Sequence, residues 1–339
     1  MTKTHPTRPT RPASSRRRTL VHGLIAVAAI AALPGASAFA ADAYPAQPIR
    51  LVVPFPPAGG TDVLSRLVFN KIGTATHWTV VVENRAGAGG NIGLDAVAKA
   101  RPDGYTIGMG QTANLAINPT LYPKMPYNAV TDFTPVALVA AQPVVLIVRQ
   151  DSPYKTLADL VAAAKTKQLS MASAGTGTVG HLTGEMFQRR AGFKALHVPY
   201  KGASPALTDL MGGQTDFYFA TPPIAMPMLK AGKLRALGVT SVKRVALLPN
   251  VPTVAEQGYA GFQAEDWKAL VAPAGTPADV IARLNAEVNK ALKDADTIAR
   301  LRDEGSEPRG GSAADLATFI KSEHTRWGTI VRDSGARVE

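Results

Sequence analysis

The sequence predicts an α/β protein with a mainly parallel sheet covered on both faces. Three observations predict it. From Ile49 onward, short β-branched apolar runs alternate with segments whose apolar residues recur at helical spacing. The strand-like runs are apolar throughout rather than at every second residue, the pattern of strands buried on both faces. Glycine-rich turns, "FPPAGGTD" (55–62) and "SAGTGTVGHL" (173–182), lead from strand into helix.

The elements follow in order. "IRLVVPF" (49–55) is a strand and "DVLSRLVFNKI" (62–72) a helix; "TVVVEN" (79–84) is a strand, "NIGLDAVAKA" (91–100) a helix with Asn91 as its N-cap, and "YTIGMG" (105–110) a strand. Further on come the strand "VVLIV" (144–148), the helix "TLADLVAAAKT" (156–166), the strand "LSMASA" (169–174) and the helix "HLTGEMFQRRA" (181–191). "ALHVPY" (195–200), "ALTDLMGG" (206–213), "TDFYFA" (215–220) and "KLRALGVT" (233–240) continue the alternation. Residues 276–305 and 312–335 read as helical, with starts at Thr276-Pro277 and Ser312 and stops at Gly305 and Gly335.

The N-terminal residues form a different pattern. Lys3, Arg8, Arg11 and Arg16 to Arg18 precede the apolar stretch "LVHGLIAVAAIAAL" (20–33), and Ala38-Phe39-Ala40 supplies small residues at the cleavage positions. This is the layout of a secretory signal peptide spanning residues 1–40, cut near Ala40/Ala41. "SRRRTL" (15–20) partly matches a twin-arginine signal. The chain has no Cys, so an exported product has no disulfide framework and relies on its core. Six of the charges behind the formal +12 lie in the leader, leaving about +6 spread along residues 41–339. That is too diffuse for a nucleic-acid footprint and suits a small anionic ligand. The length accommodates two domains.

The chemical motifs narrow the function. "NRAGAGGNIG" (84–93) fails the dinucleotide spacing G-x-G-x-x-G, because Ile92 stands where the third glycine is required. It reads as a turn near a site. In "FPPAGGTD", Gly59 and Gly60 let backbone approach a ligand, with a positive φ expected at Gly60, and Thr61 and Asp62 open a helix whose first N–H groups attract an anion. A capped turn is the alternative. The second loop strengthens the anion reading: it passes Gly175 and Gly177 and enters a helix at Thr178, whose hydroxyl serves as either N-cap or ligand donor. His181, just inside that helix, is a candidate to face the anion, and Tyr200-Lys201 a candidate cleft lining. Ser152 and Lys155 fit S-x-x-K as a string and define the competing reading, a secreted serine hydrolase; no G-x-S-x-G, H-E-x-x-H or Walker motif accompanies them. The histidines outside the leader, at 77, 181, 197 and 324, lack ligand spacing, so neither metal nor cofactor is expected. Asp132 and Asp216 read as turn or strand-end residues.

Taken together, blocks along the whole region after the leader resemble one family, in that family's order. They are "YPAQPIRLVVPFPPAGGTDVLSRLV" (44–68), "VVENRAGAGGNIG" (81–93), "PDGYTIGMG" (102–110), "SAGTGTVGHL" (173–182), "VPYKG" (198–202), "GKLRALGVT" (232–240), "LPNVPTVAEQG" (248–258) and "APAGTP" (272–277). The chain resembles the Bug/TctC solute-binding proteins of tripartite tricarboxylate transporters. It departs from them at Met228, where many members have His, and at Lys268-Ala269, where an aromatic-Gly pair is common.

The resemblance implies a type II periplasmic binding protein fold: two α/β lobes with a ligand cleft between them. Lobe 1 would comprise residues 41–142 and 263–339, and lobe 2 residues 143–262. It implies a periplasmic protein, a monomer, that captures a small carboxylate and delivers it to the transporter's membrane permease subunits or to a sensor kinase of a two-component system. Phe55, Pro57, Ala58, Gly59, Gly60, Thr61 and Asp62 would grip one carboxylate. Gly175, Thr176, Gly177 and Thr178 would face them, with Gln111, His181 and Tyr200 completing the candidate set.

Overall fold

The computed structural model describes residues 44–338; the signal-peptide expectation for residues 1–40 lies outside them. Eleven strands are described: β1 (Ile49–Val53), β2 (Val80–Asn84), β3 (Thr106–Gln111), β4 (Phe133–Pro143), β5 (Val145–Arg149), β6 (Ser170–Ser173), β7 (Leu196–Pro199), β8 (Phe217–Ala220), β9 (Leu234–Val239), β10 (Glu265–Pro273) and β11 (Glu307–Gly310). They form two sheets, one ordered β11-β4-β10-β3-β1-β2 and the other β7-β6-β8-β5-β9. The helices are α1 (Gly60–Thr76), α2 (Asn91–Ala98), α3 (Asn118–Leu121), α4 (Leu157–Thr166), α5 (Val179–Ala191), α6 (Ala203–Met211), α7 (Pro222–Lys230), α8 (Ala278–Ala291), α9 (Ala295–Asp303) and α10 (Ala313–Ser334).

The sheets are mixed, which corrects the mainly parallel expectation. β1 runs parallel to β2 and β3, and β6 parallel to β7 and β8. β10 is antiparallel to β3 and β4, β11 to β4, and β5 to β8 and β9. The cause is topological. The chain passes between the sheets twice, from β4 to β5 and from β9 to β10, and apolar periodicity reads burial but not strand direction. Thr240 fastens the two passages side by side. Its Oγ1 accepts from the Val144 N–H (2.9 Å) and donates to the Ala264 carbonyl (2.6 Å).

Local sequence explains how the helices are held. Ser312 and Asp315 form a reciprocal capping box at the start of α10, and Gly335 closes it in the left-handed conformation, as the start and stop residues predict. Asn91 is not a cap: Gly90 occupies the cap position of α2, and the Asn91 side chain is buried against Asn118 and Tyr127. On α5, Gly180 and Gly184 lie one turn apart on the face toward β8 and β6, where a Cβ would run into the Phe219 carbonyl and the Met171 side chain. Their bareness lets the helix sit close to the sheet. In the core, the indoles of Trp267 and Trp327 both donate to Glu323 Oε2, at 2.8 and 3.0 Å. Each buried N–H therefore keeps a partner.

Candidate functional site

The first loop follows β1. Pro54 to Gly59 turn the chain into α1, and Asp62 fixes the turn from inside. Its Oδ2 accepts from the Ala58 N–H (3.0 Å) and from Arg66 Nε (3.0 Å), and its Oδ1 accepts from Asn84 Nδ2 (2.9 Å). Burial opposes the charge, but bonds from Arg66, Asn84 and Ala58 outweigh it and hold the carboxyl below the usual range. Ala58, not Gly60, takes the left-handed conformation, at φ 60°, so the positive φ expected at Gly60 is not found. α1 starts at Gly60 with no side-chain cap, leaving its first-turn N–H groups without that partner. Thr61 Oγ1 donates to Gln111 Oε1 (2.6 Å) and joins the helix start to the end of β3.

The second loop follows β6 and is wired more fully. The Gly175 N–H donates to Ser173 Oγ (3.2 Å), and the Gly177 N–H to His181 Nδ1 (3.2 Å). Thr178 Oγ1 donates to the Gly175 carbonyl (2.8 Å) and accepts from the His181 N–H (3.3 Å), so the hydroxyl is an N-cap. His181 stacks on His197 at 3.8 Å between ring centroids. Burial, and then His197, push His181 down to about 3; burial pushes His197 down to about 4. Both rings are neutral near pH 7, so His181 serves as the acceptor that shapes the loop rather than as a cation for an anion.

The two helix starts share one cleft of about 520 Å³. Of the sequence-predicted residues, Phe55, Pro57, Ala58, Gly59, Gly60, Thr61, Gln111, Thr176, Gly177 and Thr178 line it. Asp62, Gly175, His181 and Tyr200 do not; the first three hold the loops, and Tyr200 donates to Asp209 (2.7 Å). Residues missed at the sequence level include Gly89, Asn118, Tyr218, Thr221 and Asp266. Gly89 had a signal, the glycine run near a site. Asp266 had none, because its position follows from a strand that periodicity did not reveal. Asn118 Nδ2 donates to the Gly89 carbonyl (3.0 Å) and to Asn91 Oδ1 (2.8 Å), fixing that wall.

Ser152 and Lys155 do not form a nucleophile–base pair. Ser152 Oγ accepts from the Tyr154 N–H (3.2 Å), while Lys155 Nζ donates to the Ser152 carbonyl (2.8 Å). Asp132 accepts the Asn128 N–H within its own turn, and Asp216, just before β8, accepts the Ser170 N–H at the start of the neighbouring strand β6, as turn and strand-end residues do. A second hollow, about 500 Å³, lies between α5 and α10. Its guanidiniums already serve carbonyls: Arg189 that of Asp333, Arg190 that of Ala260, Arg326 that of Gln263. Among the described residues no acid–histidine group is placed to hold a metal ion, and no helix is long and apolar enough to cross a membrane.

Residues 64–336 match the family model TctC, described as tripartite tricarboxylate transporter family receptor. The chain is 43% identical to a UPF0065 protein in the tcbD-tcbE intergenic region of Pseudomonas sp. strain P51, over 86% of this chain and 87% of that one. Two solved structures from Rhodopseudomonas palustris are similar throughout. Rpa4515 with adipate has a TM-score of 0.81 and 36% identity, covering 87% of this chain and all of that one. MatC (Rpa3494) with bound malate has a TM-score of 0.77 and 34% identity, covering 85% of this chain and all of that one. The two-sheet α/β architecture is that of periplasmic binding proteins.

Proposed function

The chain belongs to the TctC family of tripartite tricarboxylate transporter receptors, and on that premise we propose that it captures a small carboxylate in the periplasm and delivers it to the transporter's membrane permease subunits. Its role is solute binding. The signal peptide at residues 1–40 takes the protein to the periplasm, where it works as a monomer. Residues 41–142 and 263–339 form one lobe, residues 143–262 the other, and the lobes close on the ligand about the Thr240 passage.

One observation carries the reading: α1 opens into the cleft without a side-chain cap, opposite the start of α5. Free N–H groups and the positive helix end favour a full negative charge. Micromolar affinity requires about 8 kcal/mol net. Hydrogen bonds to a charged group contribute roughly 1.5–3 kcal/mol each, so four to six of them, aided by the helix starts, meet the requirement after the costs of closure. That related proteins were solved with adipate and with malate supports the ligand class. Native mass spectrometry of the protein purified from the periplasm tests the proposal. A co-purifying mass matching a small carboxylic acid is expected; a co-purifying neutral sugar or cationic peptide contradicts it.

A further inference from the structure

Asp266 sits where an anion cleft least tolerates a carboxylate. It lines the cleft, is only 7% exposed, and lies on β10 directly opposite Gln142 of β4. Its Oδ2 is well served: Lys268 Nζ donates to it at 2.7 Å and Gln142 Nε2 at 3.3 Å. Gln142 is itself held, its Oε1 accepting from Ser306 Oγ at 2.9 Å. Lys268 is 2% exposed, so its ammonium is a buried partner and not a surface charge. The Lys268 charge also reaches Glu304, but there burial outweighs it and raises the carboxyl above the usual range. The Asp266 Oδ1 has no partner at all.

The charge of Asp266 is therefore offset from behind, while one buried oxygen is left with nothing to accept. Buried acceptors are nearly always paired. A second ligand carboxylate cannot supply the missing donor; a hydroxyl or an ammonium group can. The geometry points to Asp266 as the specificity-determining residue of the cleft, selecting a carboxylate that also carries a hydroxyl or amino substituent. This rests on the proposed carboxylate function: the acid groups go to the helix starts, and the substituent goes to Asp266 Oδ1. Lys268 keeps the floor neutral so that the acceptor does not repel the ligand. Asp266 also stands beside the strand ends that pass between the sheets, so a bonded substituent adds a tie at that passage.

The test is calorimetric titration with matched acids: succinate, malate and aspartate, then glutarate, 2-hydroxyglutarate and glutamate. Wild-type protein should prefer a substituted acid to its plain parent by about tenfold to a hundredfold, the scale of a hydrogen bond to a charged group. Asp266→Asn should bring that ratio close to one while the plain acid still binds. Should the single variant unfold because Lys268 loses its counter-charge, the double variant Asp266→Asn/Lys268→Met removes the orphaned ammonium and gives the same reading. Equal wild-type affinities within each pair, or a preference that survives the substitution, overturn the role of Asp266 and leave the carboxylate function standing. Absence of binding by all six acids overturns the role of Asp266, and it overturns the carboxylate function as well only when native mass spectrometry also finds no co-purifying carboxylic acid.

Discussion

Replacing Thr178 with Ala separates loop architecture from ligand contact. In the structure the hydroxyl bridges the Gly175 carbonyl and the His181 N–H, and both bonds disappear with the side-chain oxygen. Loss of an N-cap costs about 1 kcal/mol, within a range of roughly 0.5–2. The Gly175 carbonyl retains the Thr178 N–H as a donor at 3.3 Å, so it is not left bare. The sum is about 1–2 kcal/mol, equivalent to a fall in melting temperature of about 2–4 °C for a large domain. Differential scanning fluorimetry of the ligand-free protein reads that shift, and Thr178→Ser should recover most of it. Affinity should change less than threefold, because the hydroxyl's donor and acceptor are already engaged. An unchanged melting temperature combined with a tenfold loss of affinity would refute the cap assignment and return Thr178 to the ligand.

Other perturbations address the same framework. Gly60→Val should leave the fold intact, since a Cβ there meets no protein atom within 4 Å; it should abolish ligand heat in calorimetry by filling the mouth of α1, and normal affinity would make the first loop a mere turn. Gly180→Ala forces a Cβ against the Phe219 carbonyl and should destabilise by about 1–3 kcal/mol, as overpacking does; urea melts matching wild type would contradict the close seating of α5. The folded pKa values of His181 and His197 lie below the ordinary 6.5, so the unfolded chain binds more protons and stability falls as pH drops from about 7 toward 4. At pH 5 buried His181 accounts for about 2 kcal/mol of that loss, and partly exposed His197 for less. Denaturant melts of wild type and His181→Asn across pH 5–7 check it, and an identical pH slope in the variant would refute the assignment.

The strands and helices that carry the two loops were legible because each is a short element with its own periodicity and turn. β1 into α1 and β6 into α5 are marked by an apolar run, glycines and a helix start. β4 and β10 were not legible, since their apolar residues report burial and their identity as strands depends on distant partners; β11, Glu307-Pro308-Arg309-Gly310, has no apolar run and is a strand only through its pairing with β4. α7 was hidden by Pro222, Pro223 and Pro227; the first two occupy the helix start, where a missing N–H costs nothing. Within the cleft, the loop glycines announced themselves, but the side chains that support them did not. Asp62 and His181 carry chemistry that suggests ligand contact, and only the fold shows them bonded to their own loops. Asp266 enters the cleft through a β10–β4 pairing separated by more than a hundred residues, which no local pattern encodes.

The most direct test of an anion site formed by two helix starts is a titration of the best-binding acid against its own methyl ester. The ester lacks the full charge and the two equivalent acceptor oxygens, so the N–H groups at the start of α1 lose their partner at about 1–3 kcal/mol each. Closure would then return less than it costs, and the open form should persist. Calorimetry should show the acid binding and the ester not, with small-angle scattering showing compaction only with the acid. An ester that binds as tightly as the acid and compacts the protein equally would contradict the account.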